Sequence, residues 1–176
     1  GDDCIYGNGG PDRIDGNFGN DYISGGPGAD KLNGGWGVDF IRGDEGDDFI
    51  KGSLGDDVLE GNSGRDKIRG DSGGDTILGG EGADELKGEW GSDYIFGGAG
   101  PDEIYGGWGK DNLFGDDGDD KLKGGARADF IAGNNDRDFL MGDGGRDNLS
   151  GGQGGDRLCG NWGRDVLNGD SNTDRC

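Results

Sequence analysis

Aspartate recurs every nine residues along the whole chain, twenty times, and never yields to another residue. Carboxylates returned at so strict a spacing can do one of two things. They can shape turns by hydrogen bonding to nearby backbone, or they can line up and hold cations. A purely turn-shaping role predicts asparagine or serine as frequent substitutes. None stands at any of the twenty places, so the pattern points to metal.

The oxygen-rich composition narrows the ion. The chain has no histidine, and its three cysteines are scattered, which leaves carboxylate and backbone carbonyl oxygens as ligands. Hard, all-oxygen, adaptable coordination selects Ca²⁺ over transition metals, and over Mg²⁺, which demands near-ideal octahedra and keeps its waters.

The residues around each aspartate define the element that must carry it. With aspartate at place six of a nonapeptide, place one is glycine from Gly7 to Gly169. Place eight is Ile or Leu from Ile5 to Leu167, and only Cys176 departs. Place four is glycine except at Arg127, Asp136 and Asn172. A register unbroken over the chain means a repeat architecture. Glycines at places one and four suit positive φ or close backbone approach. Places seven to nine alternate around the aliphatic, which predicts a three-residue strand with one face buried, stacked on its neighbours. Glycine this dense excludes helix.

The true period is 18. All four tryptophans (Trp36, Trp90, Trp108, Trp162) fall in one of the two interleaved sets at place three. Place seven splits likewise: Tyr22, Phe40, Val58, Thr76 and Tyr94 in one set, and Arg13, Lys31, Lys67, Glu85 and Glu103 in the other, with Phe49 and Phe139 as exceptions. Two turns and two strands per coil give nearly ten coils, and at about 4.8 Å per coil a flattened rod roughly 45 Å long. One structural unit, a single domain over residues 1–176, covers everything. The Trp90 and Trp108 rings are expected to stack on adjacent coils near Leu78, Tyr94, Phe96 and Phe114 on one outer face.

Sixth-place aspartates then form two columns. One holds Asp3, Asp21, Asp39, Asp57, Asp75, Asp93, Asp111, Asp129, Asp147 and Asp165; the other holds Asp12, Asp30, Asp48, Asp66, Asp84, Asp102, Asp120, Asp138, Asp156 and Asp174. Carboxylates about 5 Å apart repel by roughly 0.8 kcal/mol per pair even at the dielectric of water. A divalent cation between each pair inverts the sign. The columns offer up to about 17 inter-turn sites, and about ten ions would offset the net charge of −21.

These motifs carry a resemblance. The repeat G-G-x-G-x-D-x-U-x resembles the repeat-in-toxin (RTX, hemolysin-type) calcium-binding nonapeptide over the entire chain. The resemblance implies an all-β, right-handed parallel β-roll, with Ca²⁺ held between turns by aspartate carboxylates and turn carbonyls, and secretion from bacteria in the unfolded state. The turns before Asp129, Asp138 and Asp174 lack the fourth-place glycine, so sites there are expected to be defective.

Composition fits a chain that is disordered until cations arrive: 28% hydrophobic residues, 47 glycines and a net charge of −21. The acidic balance disfavours nucleic acid and anionic lipid. No apolar run approaches the roughly 18 residues of a membrane-spanning helix, and no signal-peptide pattern is present. The chain starts mid-repeat, as expected of a mature product or an excised piece. Cys159 and Cys176 are diagonal neighbours one coil apart, within reach of a disulfide or standing as free thiols; Cys4 lies at the far end. No acid–base set breaks the repeat, so the chain reads as non-catalytic; the RTX resemblance implies a secreted structural, stabilising or adhesive module, or the non-catalytic part of a larger enzyme or toxin. The alternative is a ligand-binding module that uses the aromatic side (Trp36, Trp90, Trp108) for carbohydrate or protein. Ice binding, known in some RTX proteins, would need Thr/Asn ladders, and the chain has two threonines.

Overall fold

The computed structural model describes residues 1–169. Among them every regular element is a strand, and successive strands alternate between two parallel sheets. The first sheet begins Cys4–Tyr6, Tyr22–Pro27, Phe40–Glu45; the second begins Arg13–Phe18, Lys31–Trp36, Phe49–Leu54. Partners differ by 18 residues throughout, as in Ile95 beside Leu113 and Leu86 beside Ile104. The result is a β-solenoid of about nine turns, consistent with a β-roll.

The core is one side chain deep from each sheet. Eighth-place residues from Ile23 to Leu158 form a single cluster with at most 2% exposure, and Ile5 and Ile14 pack against it half-buried. Backbone bonds between coils continue through the turns: the Tyr22 amide donates to the Asp3 carbonyl at 2.8 Å and the Gly82 amide to the Ala99 carbonyl at 2.7 Å.

One expectation fails here. Most strands are six residues long, not three, running from place seven through place three of the next repeat. In Tyr22–Pro27, Ile23 and Gly25 are both buried. The alternation therefore continues, but its second inward residue is glycine, which carries no apolar signal.

Positive φ falls at places two and four, not one. Asn62 (φ 77°) and Asp71 (φ 72°) show it at place two, Gly64 (φ 134°) at place four. The signal was present, since place two is mostly Gly, Asn or Asp, the residues that tolerate this conformation.

The aromatics also divide differently from expectation. Trp90 and Trp108 stack at 5.4 Å between ring centroids, 11° from parallel, and belong to the second sheet. Leu78, Phe96 and Phe114 form a ladder on the first sheet, with the Phe rings 4.8 Å apart. Places three and nine lie on opposite sides of a turn, so the two ladders belong to different sheets and share no face.

Candidate metal centre

Each aspartate is positioned by the turn that ends one strand and starts the next. Asp21 to Asp156 are all buried, at 3% exposure or less. Asp12 and Asp165 are partly covered, Asp3 is exposed, and Asp174 lies outside the described residues, as does Cys176 with its expected pairing to Cys159. Cys4 is an exposed free thiol.

The two oxygens of each carboxylate have different environments. One, Oδ1, accepts the backbone amide of the aspartate one coil earlier: Asp66 N–H to Asp84 at 2.8 Å, Asp84 N–H to Asp102 at 2.8 Å. The other, Oδ2, is buried without a hydrogen-bond partner in seventeen aspartates, from Asp12 to Asp156 at nine-residue steps. A buried carboxylate oxygen left unpaired is costly, and a row of them invites cations.

First-place glycine is explained by that oxygen. A methyl group at Gly79 would lie 2.6 Å from Asp84 Oδ2 and 2.5 Å from the Gly97 carbonyl of the next coil. At Gly106 the same point lies 2.5 Å from Asp111 Oδ2 and 2.7 Å from the Gly124 carbonyl. Carboxylate and carbonyl oxygen thus face one small volume that only glycine leaves open. Among the described residues no three Asp, Glu, Cys or His side chains converge on one point, so a cation here would draw on backbone carbonyls as well. This donor set fits Ca²⁺. Gly79→Ala is expected to raise the calcium needed for folding. Gly9→Ala, whose nearest neighbour would be the Pro27 carbonyl at 3.7 Å, is expected to change little. Equal calcium titrations of the two variants would show that the cradle is not tight.

The turns at Arg127 and Asp136 keep a positive φ without glycine, at 87° and 71°, against 140° at Gly118 and 155° at Gly154. Asp129 and Asp138 are buried like the rest, and each accepts its predecessor's amide at 3.0 Å.

Burial dominates the electrostatics of the columns. Desolvation pushes Asp66, Asp75, Asp102, Asp120, Asp129 and Asp138 up to about 7, partly opposed by the amide each carboxylate accepts and reinforced by neighbouring carboxylates. The same causes raise Asp48, Asp57, Asp93 and Asp111 to about 6, with carboxylate neighbours contributing at the first three. A carboxyl raised on folding stabilises the fold below its unfolded value near 4, and that contribution is lost as pH rises through 6 to 7. Without metal, β signal in circular dichroism is therefore expected to grow as pH falls from about 8 to about 5. A flat signal across that window would contradict the burial of ionised columns.

Comparison with known families decides what this array belongs to. The profile of the RTX calcium-binding nonapeptide repeat matches in overlapping copies, including residues 1–32, 33–68, 69–104, 87–122, 114–149 and 141–176. The chain belongs to the RTX calcium-binding nonapeptide repeat family. A comparison with curated proteins gave no match. The RTX β-roll is a structural, calcium-binding fold, and RTX repeat proteins are typically secreted and meet calcium outside the cell.

A second set of turn residues carries no mark in the repeat pattern. At place five, exposed polar side chains accept the amide one coil later: Asp47 from Arg65 at 2.9 Å, Asp56 from Gly74 at 2.7 Å, Asp119 from Arg137 at 3.1 Å. Their polar character was the available signal, diluted by Pro, Ala and Gly in the same column.

Proposed function

We propose that this RTX chain, as one β-roll domain over residues 1–176, is a secreted module that folds on meeting extracellular Ca²⁺ and serves a structural, stabilising or adhesive role without catalysis. The observation that carries the reading is the pair of aspartate columns, whose buried carboxylates offer an unpaired Oδ2, in most coils beside a carbonyl of the next coil. The ligand residues would be the aspartates of both columns, Asp129 and Asp138 on the same footing as their neighbours. Bound calcium would supply the positive charge that lets stacked carboxylates remain ionised inside the turns. The chain's own residues do the rest. Oδ1 fixes each carboxylate through the preceding coil's amide, first-place glycine leaves room, and positive φ at places two and four turns the chain.

Counting bound ions by native mass spectrometry after calcium loading tests this. About ten or more ions are expected, from the net charge of −21 and the length of the columns. Two or fewer would overturn the array.

A second reading is favoured by one surface. The outer face of the second sheet carries a cleft of about 730 Å³ where Ser72 interrupts the ladder of Trp36, Leu54 and Trp90, with Lys51 and Asp71 alongside. Exposed tryptophans beside polar groups suit recognition of carbohydrate or protein by Trp36, Trp90 and Trp108.

A further inference from the structure

The edge where the second sheet turns into the first carries a feature that calcium does not use. On four successive coils this edge presents Lys110, Arg127, Arg146 and Arg164, all exposed. Among the described residues six other cations find carboxylates, among them Arg42 with Glu60 at 3.1 Å, Lys51 with Asp71 at 2.7 Å and Arg137 with Asp119 at 2.6 Å, whereas the remaining cations without an ion pair, such as Arg13, Arg69 and Arg157, do not share an edge row. The edge cations form no ion pair among the described residues. Trp108 and Trp162 stand two residues before Lys110 and Arg164, and Trp90 stands one coil before Trp108, at 58%, 84% and 59% exposure. Trp90, Trp108, Ser92, Lys110 and Arg127 line one hollow of about 340 Å³. Beyond Trp108 the ladder drops to Ala126 and Gly144 before Trp162, and Arg127 and Arg146 border the gap.

We propose that this edge binds a linear anionic polysaccharide, laid along the roll axis with its acidic groups on Lys110, Arg127, Arg146 and Arg164 and sugar faces against Trp108 and Trp162. The proposal rests on the aromatic side being a recognition surface, and adds which chemical class it takes. Three features favour this occupant. The cations recur once per coil, about 4.8 Å apart, which matches a sparse linear polyanion and not duplex DNA with a charge every 1.7 Å or so. Indole faces offer flat apolar area for the C–H faces of sugar rings while the edge stays wet. The positive row stands beside carboxylate columns that bound calcium would neutralise, so the edge would attract anions best in the loaded state.

The test uses calcium-loaded protein and affinity electrophoresis with chondroitin sulfate, uncharged dextran and a single-stranded DNA oligomer, each at low and high salt. Chondroitin sulfate is expected to bind, more weakly at high salt. The double variant Lys110→Glu/Arg146→Glu is expected to lose at least about tenfold in affinity, because two cations become like charges. Arg127→Gly, which restores the glycine of the repeat, and Trp108→Ala should each weaken binding, and Lys31→Glu on the opposite edge should not. Circular dichroism in calcium verifies that each variant is folded. Equal binding of dextran, lost only in Trp108→Ala, would overturn the anionic class and leave the aromatic reading standing. Tighter binding of DNA would overturn the polysaccharide. Salt-sensitive dimerisation without glycan binding would assign the edge to a second copy and overturn the proposal. No binding of any probe by folded protein would overturn the proposal together with the carbohydrate form of the aromatic reading.

Discussion

In excess chelator at about pH 8 the chain is expected to give a coil-like circular dichroism spectrum, and millimolar Ca²⁺ is expected to produce a strong β signal. The expectation rests on charge placement more than on the net charge of −21. Seventeen aspartates bury an unpaired Oδ2, and their carboxylates stack coil on coil. Each neighbouring pair about 5 Å apart costs roughly 0.8 kcal/mol in water and more where water is excluded. Burial of each ionised group adds a desolvation cost, as the values near 7 at Asp66, Asp75 and Asp102 express. The opposing apolar core is one Ile or Leu per strand. With so thin a core, the metal-free roll should not hold at a pH where the columns ionise. A β spectrum unchanged by chelator at that pH would sink the calcium switch.

Asp84→Asn is expected to raise the calcium midpoint of folding several-fold and to lower its cooperativity. The structure makes asparagine a sharper probe than alanine. An asparagine Oδ1 can still accept the Asp66 amide, now at 2.8 Å, so the coil-to-coil hydrogen bond is retained while the charged Oδ2 is lost. Asp84 stands mid-column between Asp66 and Asp102, and two stacked sites would share it. Removing the charge also relieves repulsion in the metal-free chain, by about one or two kcal/mol, which opposes the first effect. Loss of a carboxylate ligand from two Ca²⁺ sites outweighs that relief. Asp56→Asn is the matched control: its Oδ1 accepts the Gly74 amide at 2.7 Å, but the side chain is exposed and outside the columns. It is expected to leave the midpoint nearly unchanged. If both variants titrate alike, the columns are not a coupled array.

The sequence by itself determined the coil length, the two-sheet roll, the Ile/Leu core and the two aspartate columns. It could do so because a solenoid writes each contact as a fixed spacing: what stacks on residue i is residue i+18, as Ile95 on Ile77 shows. Spacing reports which residues stack, but not which way each atom points. The length of the strands was hidden because their second inward residue, such as Gly25, is a glycine kept small by a carboxylate and a carbonyl in the core. That Arg127 and Asp136 would still take a positive φ was equally hidden, since stacked neighbours on both sides hold the turn in that region. Only the tertiary structure divided each carboxylate into an oxygen bound to the neighbouring coil's amide and an oxygen left unpaired. Only it showed that Lys110, Arg127, Arg146 and Arg164 stand without ion-pair partners among the described residues. Those two facts depend on the distances between coils and on which acidic side chains come within reach of which cations, and a linear repeat does not encode either.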